Sequence, residues 1–175
     1  ELTVPFAGRT RLLANREQRV RCGVMKPAMA ESTVHSIEID APAAACFEVA
    51  VDVESYPEWA SGVKRVEVLE TDAEGRPQRA AFVLEGFVKE ISYELTYDYD
   101  PPYRMSWKAD PSPDIAMLEG SYTFTETEDG ATEVVYALSV IPSFTLPGFV
   151  RRQAEKQIVT TALRGLRRRV HERAG

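Results

Sequence analysis

Three phenols share one strand-like run: Ile91, Tyr93, Leu95, Tyr97 and Tyr99 alternate with Ser92, Glu94, Thr96 and Asp98. Side chains two apart along a β-strand point to the same face, so the five should line an interior. A phenol there can donate a hydrogen bond to a carbonyl or quinone oxygen, or stack as ordinary core. Tyr103, Met105 and Trp107 extend the pattern on the next run, with Arg104, of opposite parity, expected outside. Phe82 and Tyr122 are assigned to the same lining.

The segment DVESYPEW holds Asp52, Tyr56, Pro57 and Trp59. Tyr and Trp join an apolar body to a polar tip, which suits a gate over a cavity mouth. The alternative is a plug: Trp59 fills one end of the core and still touches a ligand. Glu85 and Glu119 would act as acids of raised pKa on a concave face, but surface placement is expected for both. The familiar catalytic patterns are missing. His35 and His171 stand near element termini without a metal or nucleophile partner pattern, and there is no phosphate-cradling glycine loop. No catalytic residue, metal or cofactor is assigned.

The elements that would position these groups follow from periodicity. Alternation from Thr33 gives a first strand. Asp40 and Pro42 announce a helix over Ala43–Val51, and Pro57 breaks a short turn over Asp52–Trp59. Six strands are expected at Val63–Glu70, Arg79–Phe87, Glu90–Tyr99, Tyr103–Ala109, Met117–Thr127 and Thr132–Ile141. Their short links, with Gly75, Pro101–Pro102 and Glu128-Asp129-Gly130, imply antiparallel neighbours. The period then changes. Val150, Ala154, Ile158, Ala162, Leu166 and Val170 form a row of every fourth residue on a helix over Leu146–Glu172, with Val159 and Leu163 beside it. The expectation is an α+β fold, a seven-stranded curved antiparallel sheet gripping this helix, with two short helices after the first strand. One helix does not fill the concave side of so large a sheet, which leaves a pocket. Ile158 and Ala162 are expected to face it near Trp107 and Tyr122; the small Ala154 and Ala162 leave room. Gly165 suggests close approach by the sheet or a ligand.

A chain of 175 residues with 44% hydrophobic content fits one domain. Its net charge of -6 hides an asymmetry: residues 1–30 carry +4 and residues 147–175 carry +6, leaving -16 between them. The first thirty residues lack a sustained period and read as a basic tail or extension, with an arm for an acidic partner as the alternative; the domain is expected over residues 31–175. Cys22 and Cys46 form no close-spaced pair, which fits a reducing compartment. With neither a secretory signal nor a long apolar run, a cytoplasmic protein is expected.

The order of these pieces resembles the START-like superfamily of polyketide cyclases/dehydrases and lipid-transport proteins, especially its coenzyme-Q-binding branch. The similarity spans about Ser32 to Arg173. It rests on IEIDAPAAACFEVAVDVESYPEWASGVKRVEVLE, DPPYRMSW, LEGSYTFTETEDGATEVVYALSV and IPSFTLPGF. It implies a helix-grip fold with a lipid, isoprenoid quinone or polyketide between sheet and terminal helix. Phe144 and Phe149, in the lead into that helix, join the expected ligand-binding set of Tyr56, Trp59, Phe82, Tyr93, Tyr97, Trp107, Tyr122, Ile158 and Ala162. Three functions are consistent with this: a carrier or chaperone for a hydrophobic metabolite, a polyketide aromatase/cyclase, and a regulatory module for a macromolecular partner. The terminal helix carries Arg151, Arg152, Lys156, Arg164, Arg167 and Arg168 around its apolar stripe, which suggests peripheral contact with an anionic membrane, or simple attraction to the acidic body. Nucleic acid is not an expected partner.

Overall fold

The alternation along the chain becomes seven strands in a computed structural model, which describes residues 32–86 and 89–175. The expectations for residues 1–30, including the tail and Cys22, and for Phe87 lie outside the described residues. The strands are β1 (Thr33–Ile39), β2 (Val63–Thr71), β3 (Pro77–Glu85), β4 (Glu90–Asp100), β5 (Arg104–Ala109), β6 (Ile115–Glu126) and β7 (Thr132–Pro142). They form one antiparallel sheet in the order β1-β7-β6-β5-β4-β3-β2. After β1 come α1 (Ala43–Val51), a 3-10 turn (Val53–Ser55) and α2 (Tyr56–Trp59); α3 (Gly148–Ala174) ends the chain. This is the helix-grip arrangement.

Register explains why one face is so aromatic. Tyr97 pairs with Trp107, Trp107 with Gly120, and Tyr122 with Tyr136, so the inward positions of four adjacent strands meet edge to edge. Gly75 and Gly130, at φ 80° and 81°, supply the left-handed residues of the two hairpin turns. Two side chains fasten α1 across that face. Glu126 Oε1 accepts from the Ala43 amide at 3.1 Å, and Thr132 Oγ1 donates to the Ala41 carbonyl at 2.7 Å. The first satisfies an orphan donor at a helix start that lacks a capping side chain of its own.

α3 begins two residues later than the sequence suggested. Leu146 precedes Pro147, and a residue before proline is pushed out of helical geometry. Its buried side also differs: Glu155, Val159, Leu163, Gly165, Leu166 and Val170 are buried, whereas Ile158 is 45% exposed. A row of every fourth residue drifts about 40° per step at about 3.6 residues per turn. The row from Val150 therefore starts away from the core, touches it with the half-buried Ala162 and is fully buried only at Leu166 and Val170. The inward line mixes spacings of three and four.

Candidate functional site

Aromatic side chains form two groups on the concave side. Trp59 meets Tyr56 with ring centroids 4.7 Å apart, Tyr56 meets Phe82 at 6.2 Å, and Phe82 stacks on Tyr93 at 5.7 Å. The other group closes a circuit. Tyr97, Tyr99, Phe47, Phe124, Tyr122 and Trp107 follow one another at 5.4 to 6.5 Å, and Tyr136 stacks on Tyr122 at 4.5 Å. Trp107 lies flat where Gly120 gives it room: a Cβ on Gly120 would sit 2.5 Å from the indole. That glycine is a requirement of the site.

The phenols differ in how they are satisfied. Tyr56 Oη donates to the Ala50 carbonyl at 2.6 Å, and Tyr99 Oη to the Pro77 carbonyl. The hydroxyls of Tyr93, Tyr97, Tyr122 and Tyr136 make no hydrogen bond among the described residues, although Tyr97, Tyr122 and Tyr136 are at most 7% exposed. Burial pushes the phenols of Tyr56, Tyr97, Tyr122 and Tyr136 well above their ordinary value of 10.0. Neighbouring phenols add to the shift: Tyr136, Tyr99 and Tyr93 act on Tyr56, Tyr56 acts on Tyr122, and Tyr122 and Tyr93 act on Tyr136. A charged phenolate beside another would be repelled, which disfavours ionisation further.

Of the residues expected here, Tyr56, Trp59, Phe82, Tyr93, Tyr97, Trp107 and Tyr122 are brought together in this layer, and Ala162 packs against the core from α3. Phe144, Phe149 and Ile158 are not: all three are exposed. Tyr103 is also exposed, because its amide closes a turn on the Asp100 carbonyl before β5 starts, where strand parity has no meaning. Arg104, Glu85 and Glu119 are on the surface as expected. Trp59 is a plug. Its indole donates to Ser55 Oγ at 3.2 Å, and its carbonyl comes within 2.9 Å of where a Cβ on Gly165 would sit, so the glycine admits α2 and not the sheet or a ligand. The sequence reading missed Tyr136, Phe47 and Phe124, although Tyr136 has the same parity as Val134 and Leu138. It also missed Glu155, 4% exposed on the inner side of α3, which accepts from Thr33 Oγ1 at 3.0 Å on one oxygen. Its other oxygen makes no hydrogen bond among the described residues and faces the Arg151 guanidinium at 3.8 Å.

Two clefts flank this layer. One of about 360 Å³ lies between α1 and the β2–β3 hairpin, with Phe47, Val51, Val53 and Val68 in its wall and Arg76 at its edge. The other, about 300 Å³, lies between the β7–α3 loop and Arg151. Cys46 is buried, and burial pushes its thiol up to about 11, so it is a neutral core side chain near pH 7. Among the described residues no three His, Cys, Asp or Glu side chains are grouped to hold a metal ion.

An antiparallel sheet gripping a terminal helix over an aromatic face defines the helix-grip class of fold. The chain belongs to the polyketide cyclase/dehydrase and lipid transport family, which it matches over residues 30–171. Solved structures share the fold. A START superfamily protein from Mycobacterium smegmatis superposes with a TM-score of 0.74 at 17% identity, covering 81% of this chain and 97% of its own. A protein from Thermus thermophilus gives 0.69 at 22% identity, covering 83% and 100%. The Zhui aromatase/cyclase from Streptomyces sp. R1128 gives 0.65 at 14% identity, covering 83% and 96%. No curated protein matches the chain in sequence.

Proposed function

We propose that this chain is a carrier or chaperone for a hydrophobic small molecule with a carbonyl-type oxygen, such as an isoprenoid quinone, another lipid or a polyketide. The observation that carries this reading is the set of phenols on β4, β6 and β7 that make no hydrogen bond among the described residues. A buried Tyr hydroxyl ordinarily finds a partner, and leaving one unpaired costs about 1–3 kcal/mol. A ligand oxygen among Tyr97, Tyr122 and Tyr136 removes that cost, while the surrounding rings take up its apolar body. Neither cleft is lined by Tyr97, Tyr122 or Tyr136, so a ligand reaching them must part the aromatic layer. The expected setting is the cytoplasm, and no helix of the described residues is long and apolar enough to cross a membrane.

The test is calorimetric titration with a short-chain quinone and with a hydrocarbon of equal size. The quinone should bind more tightly, and Tyr122→Phe or Tyr136→Phe should weaken it by about twofold to tenfold, one hydrogen bond's worth, with little change for the hydrocarbon. Equal affinity for both ligands, or no binding of either, would reject the reading.

Glu155 favours a second function, that of an aromatase/cyclase. A buried carboxylate with one oxygen that makes no hydrogen bond among the described residues, on the inner side of α3, is a suitable group to take a proton from a folded poly-β-ketone. Turnover of such a substrate, lost in Glu155→Gln, distinguishes it from a carrier.

A further inference from the structure

Among the described residues, five of the eight large hydrophobic side chains that remain exposed fall between residues 141 and 158: Ile141, Phe144, Leu146, Phe149 and Ile158. Four of them lie where the β7–α3 loop leads into the first turn of α3, and Ile158 lies further along the helix on the face opposite Phe149. Phe149, at 70% exposed, is the most exposed of the eight. With Arg152 and Lys156 it occupies positions i, i+3 and i+7, and these share one helix face. An aromatic ring and two cations thus project from the same side of the same end of the molecule.

The charge of α3 is used differently at its two ends. Arg169 pairs with Glu58, Arg173 with Asp52 and Arg168 with Glu172. Arg169 and Arg173 thus realise the attraction to the acidic body expected for the basic helix, whereas the Arg168–Glu172 pair lies within α3 and Arg164 and Arg167 make no ion pair among the described residues. Arg152 and Lys156 make no ion pair among the described residues. Between Glu133 and Glu172 the sequence holds a single carboxylate, Glu155, which is buried and turned to Thr33 and Arg151. In the adjoining β5–β6 loop, joined to this tip by Ser143, Asp114 is bound by Lys89, and Asp110 is the other carboxylate. The tip is apolar and net basic, and its charge opposes packing against its own copy.

We infer that this tip, formed by Phe144, Leu146, Phe149, Arg152 and Lys156, docks on an anionic phospholipid surface, with the aromatic rings entering the headgroup layer. Aromatic and basic side chains together at one end of an amphipathic helix have the composition that binds such an interface. The contact deepens the carrier reading by placing the exchange of ligand at a membrane. Only its purpose, and not its measurement, rests on that reading.

The experiment is cosedimentation of the full chain with vesicles of phosphatidylcholine alone and of phosphatidylcholine mixed with phosphatidylserine. Binding to the mixed vesicles alone, reversed by salt, is expected. Reversing both tip charges, Arg152→Glu with Lys156→Glu, should lower partitioning by more than about tenfold. The same charge change at Arg164 and Arg167 should have a much smaller effect. Phe149→Ser should weaken binding without altering the thermal melt, and Phe149→Trp should show a blue-shifted emission with the mixed vesicles. Negligible binding to both vesicle types overturns the proposal. So does equal loss from the two double reversals, or self-association through Phe149 in place of vesicle binding.

Discussion

The two ends of α3 belong to one continuous helix and do opposite things. At the C-terminal end Leu166 and Val170 are buried, Gly165 admits Trp59, Arg168 donates to the Trp59 carbonyl at 3.3 Å, and Arg169 and Arg173 reach acids of the α1–α2 segment. At the N-terminal end Phe149 and Ile158 face solvent, and the buried position nearest the helix start holds a glutamate. Rigid anchoring at one end leaves the other to present side chains outward. Binding elements are drawn from the less stable parts of a fold, and this helix divides those roles along its length.

The largest effect should separate the ends by burial. Leu166→Ala is expected to cost about 2–5 kcal/mol in urea unfolding, as for buried leucines generally. Ile158→Ala should stay within about 0.5 kcal/mol, as at exposed positions. Comparable losses at both sites would show that Ile158 is buried in solution and that the contrast is false.

A glycine pair sharpens it. Gly165→Ala places a Cβ 2.9 Å from the Trp59 carbonyl oxygen and 3.1 Å from its indole. Backbone must shift, so a loss of about 1–3 kcal/mol is expected despite the better helix propensity of alanine. Gly148→Ala meets nothing nearer than Arg152 Nη1 at 3.9 Å. It should be neutral, or stabilising by up to about 1 kcal/mol. Thermal melts of the two variants decide the matter, and stabilisation by both would mean that α2 does not press on α3.

The smallest effect concerns charge. Glu58, partner of Arg169, is 63% exposed at its side chain, so solvent screens the pair and Arg169→Ala should cost no more than about 1 kcal/mol. Lys156→Ala should cost nothing measurable in the same melts. A larger loss at Lys156 would reveal a partner for it and remove the free cation on which the difference depends.

Much of the aromatic layer was legible in the residue order. Period-two alternation along Ile91–Tyr99 put Tyr93 and Tyr97 inside. The break expected at Pro57 is not there: Pro57 lies in the first turn of α2, where its missing N–H costs no helical hydrogen bond, and Tyr56 before it is helical. Tyr103 failed because parity applies only inside a strand, and the turn at Asp100 ends one. Ile158 failed because a four-residue repeat is only near a helical turn, and the mismatch accumulates over the length of α3. Glu155 was passed over because a charged residue in a solvated-looking helix gives no local sign of burial.

Local chemistry and short-range period thus account for the seven strands, the long terminal helix, the hairpin glycines, the inward aromatics and the charge asymmetry, all of which can be read along the chain. Packing across the fold settles the rest: which flank of α3 meets the sheet, that four phenols lack hydrogen-bond partners among the described residues, that Gly120 and Gly165 make room for two tryptophans, and which arginines are already paired. Each of these depends on groups far apart in the chain. Trp59 and Gly165, or Thr33 and Glu155, meet only after the sheet has curled, and the close packing that brings them together is a property of the whole fold.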